Sequence, residues 1–116
     1  MKSEVPSKEH KREYTDDSKK TVIAFANTEG GDILIGVDDD GAAVGVDDVD
    51  GTVLRVTNAI RDSIRPDVTM FVLCEATELE GKTVVAVKVQ RGAARPYYLA
   101  GKGIRPEGVY VRQGAS

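Results

Sequence analysis

Carboxylates at two places in the sequence could support metal-dependent chemistry. Glu4 and Glu9 lie in a polar N-terminal segment, and Asp38, Asp39 and Asp40 form the acidic sequence DDDG. Three carboxylates around a divalent cation can polarise a phosphodiester and lower the pKa of an attacking water. If one of these aspartates meets Glu4 and Glu9 in space, the chain could hold Mg²⁺ or Mn²⁺. The alternative is a solvated acidic turn with no chemical role.

A second candidate site is the basic and aromatic segment RGAARPYYLAGKGIRPEGVYVR, which begins at Arg91. Cations neutralise phosphates and tyrosines stack on bases, so this composition suits nucleic acid. Tyrosines also pack sheets and arginines also hydrate surfaces, so the residue types alone leave a structural role open. The candidate nucleic-acid-binding residues are Arg91, Arg95, Tyr97, Tyr98, Lys102, Arg105, Tyr110 and Arg112.

Other reactive residue types do not form a recognisable site. Gly30 and Gly31 follow a helical pattern and precede a strand pattern, which is the reverse of a phosphate-binding loop. No GxxxxGK[ST] sequence occurs, so we do not expect this chain alone to bind or hydrolyse ATP. His10 is the only histidine and lies among charged residues, where a solvated side chain is expected. Cys74 is the only cysteine, and its apolar surroundings predict a buried core thiol.

The composition is that of a globular protein with one domain. The chain has 116 residues, of which 41% are hydrophobic and 30% are charged. No apolar run approaches the roughly 20 residues that span a bilayer. The charged N-terminus lacks the apolar centre of a secretory signal. We therefore expect a cytoplasmic protein that does not bind membranes.

The charges are unevenly distributed along the chain. A net charge of −3 argues mildly against nucleic acid as a partner. However, every charged residue from Glu29 to Asp50 is acidic, whereas from Lys82 onward the basic residues are opposed only by Glu107. We expect an acidic and a basic surface, of which the basic one suits a polyanion.

Residues 1–14 are expected to form an extended N-terminal arm, and residues 15–116 the folded domain. Thr15 is predicted to cap a first helix that ends at Gly30-Gly31. The apolar run 33–37 predicts a strand covered on both faces, with residues 42–46 returning after the acidic turn as its hairpin partner.

Later segments predict a second helix and four strands. Thr52 is expected to cap the helix, whose apolar positions recur at helical spacing up to Arg65-Pro66. Residues 70–78 and 82–90 predict a hairpin, and residues 97–99 and 109–112 predict two short strands. The predicted fold class is α+β, with two helices packed on a mainly antiparallel or mixed sheet.

Several segments together resemble one known family. EGGDILIGVDDDG, VGVDD and RPYYLAGKGIRPEGVYVRQGAS are similar to the Schlafen/AlbA-type DNA-binding domain of bacterial and archaeal transcriptional regulators. The similarity extends over almost the whole chain. It implies a DNA-binding domain that is a fragment of a larger regulator, with further domains C-terminal to it.

The resemblance also assigns roles to the carboxylates. In Schlafen relatives with ribonuclease activity, two glutamates and a later aspartate form a metal-dependent site. The matching residues here are Glu4, Glu9 and Asp39, with Lys11 beside them. Lys8 and His10 stand where an apolar and an aromatic residue are usual in the family.

We therefore predict a nucleic-acid-binding module of a transcriptional regulator, with DNA favoured over RNA. One alternative is a metal-dependent ribonuclease that uses Mg²⁺ or Mn²⁺. Another is a platform for homodimerisation, with DNA contacts supplied by segments outside this chain.

Overall fold

The computed structural model describes residues 8–15 and 17–101, in which two helices pack against a mixed sheet. The predicted α+β class is confirmed. The elements in chain order are β1 (Lys8–Lys11), α1 (Asp17–Ala26), β2 (Gly31–Ile35), α2 (Val49–Ser63), β3 (Ile64–Arg65), a 3-10 turn (Thr69–Phe71), β4 (Val72–Leu79), β5 (Lys82–Val89) and β6 (Tyr98–Leu99).

The main sheet has the strand order β1-β2-β5-β4, and a second sheet pairs β3 with β6. Strand β1 runs parallel to β2, and α1 forms the crossover between them. The other pairs are antiparallel. Residues 8–11 of the expected extended arm are thus an edge strand, while residues 1–7 lie outside the described part of the chain.

Helix α1 ends as its sequence predicts. Its apolar face buries Val22, Ile23 and Phe25. The N–H of Gly30 donates to the carbonyl of Phe25 at 2.8 Å, and Gly30 has a φ of +83°. A left-handed residue with such a bond ends a helix and satisfies its last carbonyls, so the cap is confirmed.

Both faces of β2 are covered, as the continuous apolar run predicts. On one face the main core joins the two helices to Ile33, Ile35, Val85 and Val87. On the other face a small cluster contains Val37, Ala43 and Val84, and Leu34 packs against it. Burial of these side chains is the main favourable contribution to folding.

The predicted hairpin strand at residues 42–46 is wrong. Only an isolated bridge joins Val37 to Ala43. Gly36 has a φ of +100°, and its carbonyl accepts hydrogen bonds from the N–H groups of both Val44 and Gly45. The chain therefore turns too tightly after β2 for a ladder to extend.

The start of α2 also differs from the prediction, because Asp48 rather than Thr52 is the cap. The Asp48 Oδ1 atom accepts a hydrogen bond from the N–H of Gly51 at 3.0 Å. Thr52 lies inside the helix and is buried. The helix ends at Ser63, so Ile64 belongs to β3 instead of the helix.

The predicted hairpin of β4 and β5 is confirmed, with eight residues in each strand. Glu80 and Gly81 form its turn with φ values of 55° and 79°. Positive φ at both central residues is the geometry of a tight hairpin turn. The predicted strand at 109–112 lies outside the described residues. Neither helix of the described chain has the length and apolar character needed to cross a membrane.

Candidate nucleic-acid interface

The short ladder of β3 and β6 has one buried and one outward side. Ile64 pairs with Leu99, and Arg65 pairs with Tyr98. Ile64 is fully buried and Leu99 packs against the main core. Because side chains alternate along a strand, Arg65 and Tyr98 lie together on the other side, where Arg65 is exposed and Tyr98 is partly exposed.

The loop between β5 and β6 is anchored to the end of α1. Asn27 Nδ2 donates to the carbonyl of Tyr97 at 3.1 Å, and the N–H of Tyr97 donates to Asn27 Oδ1 at 2.7 Å. The N–H of Gly92 donates to the carbonyl of Ala26 at 2.9 Å. These three bonds fix where the basic segment lies on the protein. Asn27 was missed as a positioning residue, because its position after the helix suggests only a local role.

Tyr97 is a core residue, which changes its predicted role. It is 0% exposed, so its ring offers no face on which a base could stack. Its hydroxyl accepts a hydrogen bond from the N–H of Ala94 at 3.0 Å, and its ring fills the space that a side chain at Gly92 would occupy. Tyr97 therefore shapes the loop from inside, and Tyr98 carries the outward ring.

We use the name arginine surface for four exposed arginines, Arg61 and Arg65 at the end of α2 and in β3, and Arg91 and Arg95 in the loop between β5 and β6. The exposed Arg95 donates through Nε to the carbonyl of Gly92 at 2.9 Å, which holds its side chain against the loop. Arg91 NH1 lies 3.6 Å from Glu29 Oε2, and both side chains are exposed, so this ion pair is weak and screened by salt.

The other two members of the arginine surface come from the end of α2 and from β3. Arg65 NH1 donates to the carbonyls of Arg61 and Ile64, both at 3.0 Å. Arg61 NH2 donates to Asn58 Oδ1 at 2.7 Å. No charge run marks these two arginines in the sequence, since acidic residues follow each of them closely. The pairing of β3 with β6 is what brings Arg65 beside the basic segment.

Acidic neighbours reduce the positive potential of the arginine surface. Arg61 Nε lies 3.3 Å from Asp62 Oδ1. Asp67 follows Arg65 closely, and hydrogen bonds from the N–H and hydroxyl of Thr69 lower the pKa of its carboxyl, with a smaller contribution from Arg65.

Four of the predicted binding residues, Lys102, Arg105, Tyr110 and Arg112, lie outside the described part of the chain.

The predicted carboxylate site involves β1 and the acidic turn, which the structure brings together. The carbonyl of Lys11 accepts hydrogen bonds from the N–H groups of Gly36 and Val37 at 2.7 and 3.0 Å, so the end of β1 lies beside the start of the turn. Glu9 Oε2 lies 3.9 Å from Lys11 Nζ. A side-chain carbon at Gly41 would lie 3.7 Å from the His10 ring.

The aspartates of the turn have different roles. Asp38 Oδ1 accepts hydrogen bonds from the N–H groups of Asp40 and Ala42, so it holds the turn in shape. Asp39 is exposed. Among residues 8–15 and 17–101, no three His, Cys, Asp or Glu side chains lie close enough to hold a metal ion. Glu4, the third predicted ligand, lies outside these ranges.

A polar cleft of about 560 Å³ lies between the end of β1 and the start of α2. Arg12 and Arg55 line it together with Glu13, Asp47 and Asp48. The mixture of signs gives no uniform field that would favour one class of charged ligand.

Cys74 has the environment of a structural thiol. It is partly buried, and burial raises its pKa to about 11 against the opposing effect of a hydrogen bond with Thr57. Little of it is thiolate near neutral pH, so it is a poor nucleophile.

The solved structures that are similar to this chain include the following two. The N-terminal domain of a protein from Nitrosomonas europaea related to the ATP-dependent DNA helicase RecG has a TM-score of 0.71 at 28% identity. That match covers 97% of this chain and 82% of the other. The DIP2311 protein from Corynebacterium diphtheriae has a TM-score of 0.64 at 21% identity, and the match covers 95% of this chain but 21% of that protein. The second likeness shows the fold alone.

A search of curated proteins found none that matches the chain. A family model described as Schlafen, AlbA_2 matches residues 1–116. That match spans the helix cap, the acidic turn and the basic segment together. The chain therefore belongs to the Schlafen AlbA_2 family.

Proposed function

We propose that this domain binds nucleic acid through the arginine surface, with DNA as the favoured partner. The observation that carries the proposal is the anchoring of the loop between β5 and β6. Asn27 fixes the loop by two hydrogen bonds, and the loop presents Arg91 and Arg95 outward. Family membership supports the proposal, as does the similar domain from a protein named as related to a DNA helicase. A role in transcription regulation is the corresponding expectation for the protein.

The physical basis of such binding is the release of counterions from phosphates. Each phosphate contact with duplex DNA contributes about −0.9 to the slope of log affinity against log salt concentration. A surface with four arginines and several acidic neighbours should therefore bind DNA measurably only at low salt.

The test is a double charge reversal, Arg91→Glu with Arg95→Glu, in the chain of residues 1–116. We expect at least a tenfold loss of affinity for fluorescein-labelled duplex DNA at low salt, measured by fluorescence anisotropy. The matched control is Lys20→Glu with Arg55→Glu, which makes the same change in net charge at two exposed positions elsewhere. Equal losses in both variants would mean that net charge alone governs binding, and a wild-type chain that does not bind would overturn the proposal.

A second candidate function is metal-dependent RNA cleavage, which the contact of the acidic turn with the end of β1 favours. In this proposal Glu4, Glu9 and Asp39 would hold Mg²⁺ or Mn²⁺, and Lys11 would stabilise negative charge on the phosphate. We expect Glu9→Gln to abolish cleavage of structured RNA in the presence of Mn²⁺, while Glu13→Gln keeps it. Cleavage that persists in Glu9→Gln would rule out this site.

Homodimerisation is a further proposal, which exposed apolar side chains near β4 favour. Strand β4 is at the edge of the described main sheet, where Leu73 and Met70 are exposed. Exposed apolar residues next to a strand edge favour self-association. Sedimentation over a range of concentrations tests this proposal, and a monomer at all of them would contradict it.

A further inference from the structure

The outward side of the β3–β6 ladder has the composition of a binding site for one nucleotide. We propose that Tyr98 stacks on an unpaired base and that Arg65 binds a neighbouring phosphate, so that the ligand is single-stranded nucleic acid. This inference rests on the proposed nucleic-acid binding and assigns to Arg65 a role that its sequence context does not suggest.

The register of the ladder places the two side chains next to each other. Arg65 and Tyr98 are direct partners in an antiparallel pair. Such partners on one face have Cβ atoms about 4.5–5.5 Å apart. Their neighbours Ile64 and Leu99 pack into the main core, and this packing fixes the orientation of the ladder. A cation and an aromatic ring are thereby presented side by side on a rigid support.

Arg65 is already ordered by the protein itself. Its NH1 group donates to the carbonyls of Arg61 and Ile64, both at 3.0 Å. A guanidinium has five N–H donors in a planar fork, so Nε and NH2 remain as donors for a phosphate in the described structure. Because the side chain is held before binding, less conformational entropy is lost when a phosphate binds.

Tyr98 distinguishes single strands from duplexes. Its ring is partly exposed, whereas the adjacent Tyr97 is fully buried. A base can stack on such a ring only when the base is unpaired, and base–aromatic stacking tolerates any sequence. The site should therefore prefer single-stranded over duplex ligands without strong sequence preference.

A purely structural role for both residues is the competing explanation. Arg65 donates to the carbonyl of Arg61 in the last turn of α2, and Asp67 nearby lowers the local positive potential. If capping is the whole role of Arg65, its replacement should lower stability and leave affinity unchanged. A structural role predicts unchanged affinity on replacement of Arg65, whereas a binding role predicts weaker binding.

The experiment compares a fluorescein-labelled 12-nucleotide oligo-dT with a 12-base-pair duplex by fluorescence anisotropy, using the chain of residues 1–116. We expect the wild type to bind the single strand more tightly. Tyr98→Leu should weaken single-strand binding by about tenfold, and Tyr98→Phe should retain it, because stacking needs only the ring. Arg65→Gln should lower the salt slope by about 0.7, the value for one phosphate of a single strand.

Two further variants test whether the effects are specific to the site of Arg65 and Tyr98. Arg55→Gln removes an exposed arginine that lies within α2 and not in the β3–β6 ladder, and it should change neither affinity nor salt slope. Asp67→Asn keeps Arg65 in place and retains an oxygen that can accept the Thr69 hydrogen bonds, so it should fold normally. It should tighten single-strand binding about twofold, because it removes a negative charge beside the phosphate.

The outcomes separate this inference from the function on which it rests. If Arg65→Gln and Tyr98→Leu lower only the melting temperature, while Arg91→Glu with Arg95→Glu still abolishes DNA binding, the nucleotide site is overturned and the proposed function stands. Tighter binding of the duplex, with no effect of Tyr98→Leu, also overturns the inference. A wild-type chain that binds neither probe overturns both.

Discussion

Gly30 occupies a position where any side chain would meet the backbone of another element. Its φ of +83° is unfavourable for other residues, and a Cβ there would lie 2.5 Å from the carbonyl oxygen of Val89. We expect Gly30→Ala to lower the free energy of unfolding by more than about 2 kcal/mol, combining left-handed strain and a backbone clash. Urea denaturation measures this loss.

Gly81 is the matched control for that substitution. It has a similar φ of +79°, but a Cβ there would have no neighbour within 4 Å. Gly81→Ala should therefore cost only about 1 kcal/mol, the strain of the conformation alone. If Gly30→Ala and Gly81→Ala lowered the free energy of unfolding equally, the clash with Val89 would not contribute to the loss.

Individual residues show why a sequence identifies a candidate binding segment more readily than the side chains of that segment that face outward. The run Arg91 to Tyr98 is recognisable from composition, but which of its two adjacent tyrosines faces outward depends on strand alternation. That alternation is set by the pairing of Arg65 with Tyr98, a contact between residues far apart in the sequence. Local patterns do not reveal such a partner, so the sequence alone shows neither that Tyr97 is buried nor that Arg65 lies beside Tyr98.

The start of α2 gives a prediction at the level of elements. Asp48 accepts a hydrogen bond from the N–H of Gly51 and begins a helix of 15 residues. Replacing a capping aspartate by alanine costs about 1 kcal/mol. We expect Asp48→Ala to lower the free energy of unfolding by this amount in urea denaturation. Asp47→Ala, an exposed neighbour, should change it by less than about 0.5 kcal/mol. A comparable loss in Asp47→Ala would argue against a capping role for Asp48.

Elements defined by local signals were predictable, and those defined by distant partners were not. The β4–β5 hairpin and both helices follow from periodicity and turn residues. The cap of α2 was misplaced because the sequence DDVDGT offers several oxygen-bearing caps close together. The expected strand at 42–46 failed because the bonds from Val44 and Gly45 to Gly36 replace a ladder. These bonds depend on the positive φ of Gly36. Glycine can adopt such a conformation but need not, so the sequence alone does not predict it.

At the scale of the whole molecule, the acidic turn at residues 38–40 and the basic loop between β5 and β6 lie at opposite ends of β2. The first residue of β2, Gly31, pairs with Val89 just before the basic loop, and its last residue, Ile35, precedes the acidic turn. Five residues of strand separate these ends by roughly 15 Å. If the domain binds a polyanion as proposed, this separation should favour contact at the basic loop over contact at the acidic turn.

The two clusters on opposite faces of the sheet should open with different free energies. The main core joins both helices to the sheet, whereas within residues 8–15 and 17–101 the small cluster has Val37, Ala43 and Val84 as its buried members. The loop that covers it is held by backbone bonds from Val44 and Gly45 to Gly36 and from Val46 to Thr83. A segment with few buried contacts opens locally without global unfolding.

We therefore expect these loop amides to exchange with solvent at least tenfold faster than the amides of β2 and β5 that pair in the sheet centre, measured by hydrogen–deuterium exchange with NMR detection. The pairs of Ile33 with Val87 and Leu34 with Ala86 provide the internal reference, since they lie in the middle of the ladder. In low concentrations of denaturant the reference amides should approach the global free energy of unfolding, while the loop amides should not respond, because local opening exposes little new surface. Equal exchange rates and equal denaturant dependence would show that the small cluster unfolds together with the main core.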